Sequence, residues 1–347
     1  MIPVRNIYYM LSYAFQTLNE SCYKKLATEE FHNVAELCAA ILVKGVAAQI
    51  KRGLRYEYNE TLADMTTIRG RLDLAESIKS GGIWKKRPMC VFDEFTVNSY
   101  PNRIIKTTLF YLITAPITQT RRREIRRLLN YLGDVEPIAP RDVNWNLRFD
   151  RNYSSYRMII GVCYLALRGL IQTTNAGKMK LMEFLDEQAT HRLYERFIRE
   201  YYRKERPKFK VAADYIPWAL DEEEGGDGAL PVMKSDVTIT ANGKTLILDA
   251  KYYNRPMRTN FGVKKHLSSN LYQIFAYVKN LTVARQLDPR NVAGVLLYAQ
   301  TDDEEAIESD YTISGSRICT RALDLNRDFT GIATKLNSIV DEFLDER

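Results

Sequence analysis

Asp236, Asp249 and Lys251 are the residues of this 347-residue chain whose types and spacing best fit a reaction. All three lie in one stretch, PVMKSDVTITANGKTLILDAKYY, from Pro231 to Tyr253, with Asn242-Gly243 near its middle. Asn-Gly tolerates the positive φ angles of a two-residue type I′ turn, and β-branched and aliphatic residues flank it, so the stretch predicts an antiparallel hairpin. Counting outward from Ala241 opposite Lys244 puts Asp236 opposite Asp249. Directly opposed carboxylates, with Cβ atoms about 5 Å apart, repel each other. A bound cation is the simplest reason to put them there. Lys251, two residues beyond Asp249, leaves the same face of the strand. Hard oxygen ligands of this kind suit Mg²⁺, which keeps several waters and takes one or two protein carboxylates. The ammonium can orient or deprotonate a water beside the cation, or stabilise charge developing on a phosphate. Together the set serves phosphodiester hydrolysis. A salt-bridged strand edge is the plainer reading of Asp-x-Lys alone, and a three-residue turn would slip the register and part the aspartates.

The elements that must position these residues are also readable. A helix from about Glu183 to Arg203 carries Leu193, Tyr194, Phe197, Ile198, Tyr201 and Tyr202 on its apolar face. Glu195 flanks that stripe, within reach of Arg199 as a solvated i,i+4 partner. After the hairpin, Lys251 to Lys265 interleaves basic and aromatic residues, as a phosphate-holding segment or a plain surface loop would. Ser268 or Ser269 caps a helix with Leu271, Ile274, Phe275 and Val278 inward, and Gln273 and Tyr277 share another face. Val292 to Tyr298 is a continuous apolar run, as expected of a buried central strand. Acidic loops at Asp221–Gly228 and Asp302–Asp310, and a last helix near Ile332 to Leu344, complete this half.

The first half predicts helices over Arg5–Leu18 and Val34–Ile50, then a small β-rich module from Gly53 to Phe95 with a projecting loop at Ser80–Arg87. Helices follow around Ile104–Leu112 and Thr120–Leu132. The run Arg121-Arg-Arg-Glu-Ile-Arg-Arg127 fits either nucleic-acid contact or a solvated helix face. A polar connector from Pro137 to Asn152 and a helix from Tyr156 to Ile171 lead to the best boundary candidate, Gln172–Gly177.

The net charge of +7 mildly favours a polyanionic partner. Five scattered cysteines, with no Cys-x-x-Cys pair and no clustered histidines, argue against zinc and against a disulfide framework. The opening residues lack a signal peptide's apolar core, and the most apolar helix is short and carries Arg168, so a soluble cytoplasmic protein is expected. No Gly-x4-Gly-Lys-Ser/Thr phosphate loop occurs.

The order helix, hairpin, helix with Gln-x-x-x-Tyr, apolar strand resembles the PD-(D/E)xK nuclease superfamily. Ile2-Pro-Val-Arg-Asn-Ile-Tyr-Tyr-Met10, Ile68-Arg-Gly-Arg-Leu72, Asn102-Arg-Ile-Ile-Lys106, Ser235-Asp236, Asp249-Ala-Lys251-Tyr-Tyr253 and Asn270-Leu-Tyr-Gln273 extend the likeness along the chain. On those residues it resembles the McrC family, nuclease subunits of McrBC modification-dependent restriction systems. The resemblance implies an α+β fold: N-terminal helices and a small β-rich module with projecting loops, then a restriction-endonuclease-like α/β core with a mixed sheet. It implies a partner-docking domain over 1–175 and an endonuclease domain over 176–347. It implies that Asp236, Asp249 and Lys251 cut double-stranded DNA with Gln273 and Glu195 beside them. Asp236, Asp249 and the Ala250 backbone would hold Mg²⁺, for which Mn²⁺ may stand in. The implied partner is a ring-forming AAA+ GTPase, a McrB-like hexamer that reads the modified cytosine and whose hydrolysis is stimulated. One departure is Ser235, where the superfamily has proline before the first aspartate. The rival readings are a stand-alone nuclease of the Holliday-junction or RecB type and a DNA-binding subunit with a decayed site.

Overall fold

The computed structural model describes residues 2–15, 18, 23, 26, 29–147, 149, 154–175, 187–220, 230–252, 257–260, 263–266, 268–300 and 308–344. In chain order its first elements are α1 (Val4–Ala14), α2 (Val34–Arg52), β1 (Glu57–Asp64), β2 (Arg71–Leu72), α3 (Leu74–Lys79), β3 (Met89–Thr96), α4 (Tyr100–Thr114), α5 (Gln119–Tyr131) and α6 (Ser154–Asn175). Then come α7 (Glu187–Glu205), β4 (Lys210–Ala212), β5 (Tyr215–Ile216), β6 (Met233–Lys234), β7 (Val237–Ala241), β8 (Lys244–Lys251), β9 (Met257–Asn260) and β10 (Val263–His266). The remainder is α8 (Ser268–Ala284), β11 (Val292–Gln300), β12 (Ser309–Ile313), β13 (Ser316–Asp324) and α9 (Phe329–Leu344). This is a mixed α+β fold in two compact units: Met1–Val34 with Ala176–Arg347, and Ala35–Asn175.

The first of these units is built on a six-stranded mixed sheet of order β12-β13-β11-β8-β7-β4. β11 runs parallel to β8 and β13, and the remaining pairs are antiparallel. Helices cover both faces, which is why β8 and β11 read as continuous apolar runs rather than alternating ones. Ile247 packs with Ile274, Val278 and Leu281 of α8, together with Val292, Leu296 and Ile318. Leu246 and Leu248 leave the opposite face, where α7 and α9 pack against β8. Gly294 lets α8 sit close on β11: a Cβ there would meet Ile274 Cγ1 at 2.7 Å and Val278 Cγ2 at 2.8 Å. α1 packs on α7, and Asn6 Nδ2 donates to the carbonyls of Leu325 (2.8 Å) and Arg327 (2.7 Å). Tyr9 and Tyr13 stack on Phe329 beside it.

In the other unit, β1, β3 and β2 form a small antiparallel sheet in that spatial order. Its residues are poorly covered. Tyr58 is 72% exposed and Phe95 58%, and Phe95 packs between Tyr56 and Tyr58 with ring centroids 4.9 Å apart in each pair. Gly70 is required where the chain enters β2, because its φ is +68° and a Cβ would lie 2.3 Å from the Val91 carbonyl oxygen. The expected projecting loop is a run of turns in which Trp84 is 88% exposed. α2, α4, α5 and α6 supply the apolar core that the sheet lacks.

Several sequence expectations need adjusting. α6 continues through Asn175, so helix occupies the front of the expected boundary segment, and the rest of that segment lies outside the described residues. Asp310 belongs to strand β12, so the acidic loop ends earlier than expected, and β13, which carries buried Ile318 and Cys319, was not foreseen. β1 starts at Glu57 rather than near Gly53. The helix start at Glu183, the acidic loop Asp221–Gly228 and residues 253–256 of the basic segment lie outside the described residues.

Candidate active site

The β7–β8 hairpin turns at Asn242 and Gly243, with φ of +51° and +73°, the two positive angles that a type I′ turn demands. Ala241 pairs with Lys244 and Val237 with Leu248, so the next position outward sets Asp236 opposite Asp249. Asp236 Oδ2 accepts a 2.8 Å hydrogen bond from the backbone N–H of Ala250. Asp249 is 1% and Lys251 7% exposed, and the ammonium stands 2.7 Å from Asp249 Oδ2. That is ion-pair distance, yet the approach leaves this buried oxygen without a hydrogen-bond partner among the described residues. Lys251 Nζ also donates to Gln273 Oε1 (2.9 Å), and Gln273 Nε2 donates to the Tyr277 hydroxyl (2.9 Å). The helix placed by Gly294 therefore fixes the lysine through Gln273.

Glu195 lies on α7 and takes a different partner from the one its spacing offered. It pairs with His191, Nδ1 to Oε1 at 2.7 Å, while Arg199 reaches Glu200 and the Asp236 carbonyl. His191 was missed in the sequence, where His191-x-x-x-Glu195 is the signal that pairs them at i,i+4. Hydrogen bonding to Glu195 raises the imidazole pKa, and His191 also feels the charges of Asp236 and Lys251.

The electrostatics match a cation-seeking site. Burial, then the neighbouring charges of Asp249 and Glu195, push the Asp236 carboxyl up to about 7. Burial raises Asp249 too, against the opposing pull of Lys251. Among the described residues no three His, Cys, Asp or Glu side chains converge as a full metal cage. Two carboxylates facing each other across the hairpin, plus a backbone carbonyl and water, are a donor set that suits Mg²⁺.

Ser235 has its own structural explanation. Its N–H donates to the Asp214 carbonyl (3.0 Å), and its hydroxyl accepts from the Asp214 N–H (3.1 Å) and meets Thr238 Oγ1 at 2.8 Å. A proline there would lack both donors. No helix among the described residues is long and apolar enough to cross a membrane.

Comparison with known proteins agrees along most of the chain. The family described as "McrBC 5-methylcytosine restriction system component" matches residues 4–299. The Type IV methyl-directed restriction enzyme EcoKMcrBC of Escherichia coli (strain K12) is 31% identical over 349 residues, spanning 99% of each chain. Two solved assemblies from Thermococcus gammatolerans also align. A half-complex from a tetradecameric assembly of McrB AAA+ hexamers with bound McrC aligns at 17% identity and TM-score 0.45, covering 97% of this chain and 76% of that one. The McrBC complex aligns at 16% and 0.41, covering 58% of each.

Proposed function

The chain belongs to the McrBC family of 5-methylcytosine restriction system components, and on that premise we propose that it is the Mg²⁺-dependent DNA endonuclease of such a system. The observation that carries this reading is the pair of opposed carboxylates, half-buried Asp236 and buried Asp249, with the Lys251 ammonium held beside them. Bound Mg²⁺, or Mn²⁺ in its place, supplies Lewis-acid polarisation of a phosphoryl oxygen. Asp236, Asp249 and the Ala250 carbonyl would hold it. Lys251, oriented by Gln273, sets its positive charge where it offsets the charge that builds on the phosphate in the transition state. Tyr277 keeps Gln273 in the rotamer that accepts from the lysine. Glu195 and His191 add a second polar wall whose negative end repels the two aspartates when no cation is present.

The same proposal gives the chain a partner: a ring-forming AAA+ GTPase that reads modified cytosine in double-stranded DNA and whose GTP hydrolysis this chain stimulates. The chain has no phosphate loop of its own. Docking is assigned to residues 1–175 and cleavage to 176–347, with Met1–Val34 packing in the same unit as the second of these. Exposed Trp84, Tyr58 and Phe95 are the types that anchor interfaces. Arg69 is less available, since its guanidinium stacks 4.5 Å from the Phe92 ring centroid.

The test is nicking of methylated plasmid DNA with and without Mg²⁺ and the GTPase, for the wild-type chain and Asp249→Ala. Cleavage is expected only with both additions and an intact Asp249. Metal-independent cutting, or an active Asp249→Ala, ends the reading.

A further inference from the structure

Helix α5 holds five arginines within seven residues, and they divide into two groups. Arg121 pairs with Glu36 (3.5 Å) and Glu124 (3.1 Å). Arg122 donates to the carbonyls of Ile113 (3.1 Å) and Ala115 (2.9 Å), at the end of α4. These two fix the helix. Glu36 also accepts from the Thr118 N–H and hydroxyl, and Thr118 caps α5, so the N-terminal end is tied down. At the other end Lys106 Nζ donates to the carbonyls of Leu132, Gly133 and Val135.

Arg123, Arg126 and Arg127 do nothing of the kind. They are exposed and make no ion pair or hydrogen bond with any described residue. Spaced i, i+3 and i+4, they share the face opposite buried Ile125 and Leu128. Gln119, Asn130 and Tyr131 extend that face, and Tyr131 is 68% exposed. No carboxylate lies on it, because Glu124 is turned aside onto Arg121. A solvated helix face ordinarily mixes charges of both signs. A row of guanidiniums on an anchored helix, with amide donors, one aromatic and no acid of α5 among them, matches the anionic backbone of a nucleic acid, since forked guanidiniums pair with phosphate oxygens.

We propose that this face of α5 is a second DNA contact that binds duplex phosphates without reading sequence, separate from the metal site. The proposal rests on the nuclease reading for the identity of the polymer. Each phosphate neutralised on duplex DNA contributes about 0.9 to the slope of log affinity against log salt.

Binding of the full-length chain to a fluorescent 30-base-pair duplex, titrated at several salt concentrations without divalent metal, tests it. Arg123→Gln/Arg126→Gln/Arg127→Gln is expected to lower the slope by about 2 to 3, with an unchanged melting temperature. The corresponding triple lysine variant should keep most of the slope. Arg121→Gln should do the reverse, lowering the melting temperature and leaving the slope alone. An unchanged slope in the folded triple glutamine variant, or a wild-type chain that binds no duplex, overturns the proposal. So does a triple variant that binds DNA normally but loses GTPase stimulation, which would assign the face to the protein partner. Asp249→Ala separates the two readings: it should keep the full slope while losing cleavage. If that variant still cuts, the nuclease reading has failed whatever the slope does.

Discussion

The two main sheets of this chain use similar residues and meet opposite fates. In the six-stranded sheet, helices on both faces bury every residue of β8 beyond its first, including an aspartate and a lysine. In the three-stranded sheet, β1 has no buried residue at all, although it alternates in sequence as a half-buried strand would. The hydrophobic effect is the same for both; what differs is how much helix stands ready to cover each sheet. Covering makes charge expensive, so a buried Asp249 and Lys251 with half-buried Asp236 beside them imply a compensating ligand. Leaving aromatics uncovered wastes burial, so an exposed Tyr–Phe–Tyr cluster implies a partner.

Mutations should respect that contrast. The largest effect is expected at the buried set, where Asp249→Ala, Asp236→Ala or Lys251→Ala should each slow cleavage by on the order of 10³-fold or more, while the GTPase is still stimulated. Loss of both activities together would erase the contrast. Next comes Trp84→Ala, which should weaken coupling to the GTPase by about 2 kcal/mol, roughly 30-fold. It should leave the melting temperature alone, since so exposed a ring supports little of the fold. A large drop in thermal stability would instead make Trp84 a core residue of its module.

Smaller effects probe the covered side. Gly294→Ala forces a methyl against Ile274 and Val278 and should cost about 1–3 kcal/mol. Because α8 carries Gln273, kcat should fall with stability, and a stable but slow variant would be as informative as an unstable one. Another effect concerns pH. The folded state raises the Asp236 pKa from 3.8 to about 7, so it holds the proton more tightly than the unfolded chain does. Its stabilising share is complete below 3.8 and is lost as pH rises through about 7. In EDTA, Asp236→Asn should therefore melt higher than wild type at pH 8 and nearly level with it at pH 4, by differential scanning calorimetry. A gain that is equal at both pH values would point to packing rather than charge.

How much of this the sequence disclosed follows the range of the interaction. The Asn242-Gly243 turn fixes register locally, so the Asp236–Asp249 pairing could be counted out from four residues. Gln273 and Tyr277 were visible as one face of a helix, but not that Gln273 would hold Lys251, which needs the approach allowed by Gly294 twenty-one residues later. Glu195 had two candidate partners a turn away on either side, Arg199 and His191, and only the packing of α7 against β7 and β8 chooses between them. β12 escaped because an exposed edge strand has no apolar run to announce it, and buried β13 because Arg317, Thr320 and Arg321 interrupt its apolar residues. The five arginines of α5 looked alike in sequence; tertiary partners sort them into struts and free ends.

The hydrogen bonds from Asn6 have a consequence in time. They join positions 319 and 321 residues apart, with the whole of unit 35–175 emerging from the ribosome between them. At synthesis rates of about 5–20 residues per second, α1 waits roughly 15 to 65 seconds for the carbonyls it will cap. The inserted unit can meet a partner during that interval, whereas the layer of α1, α7 and α9 behind β7 and β8 closes only when α9 arrives. If the proposed division of roles holds, a nascent chain should therefore be able to dock before it is able to cut.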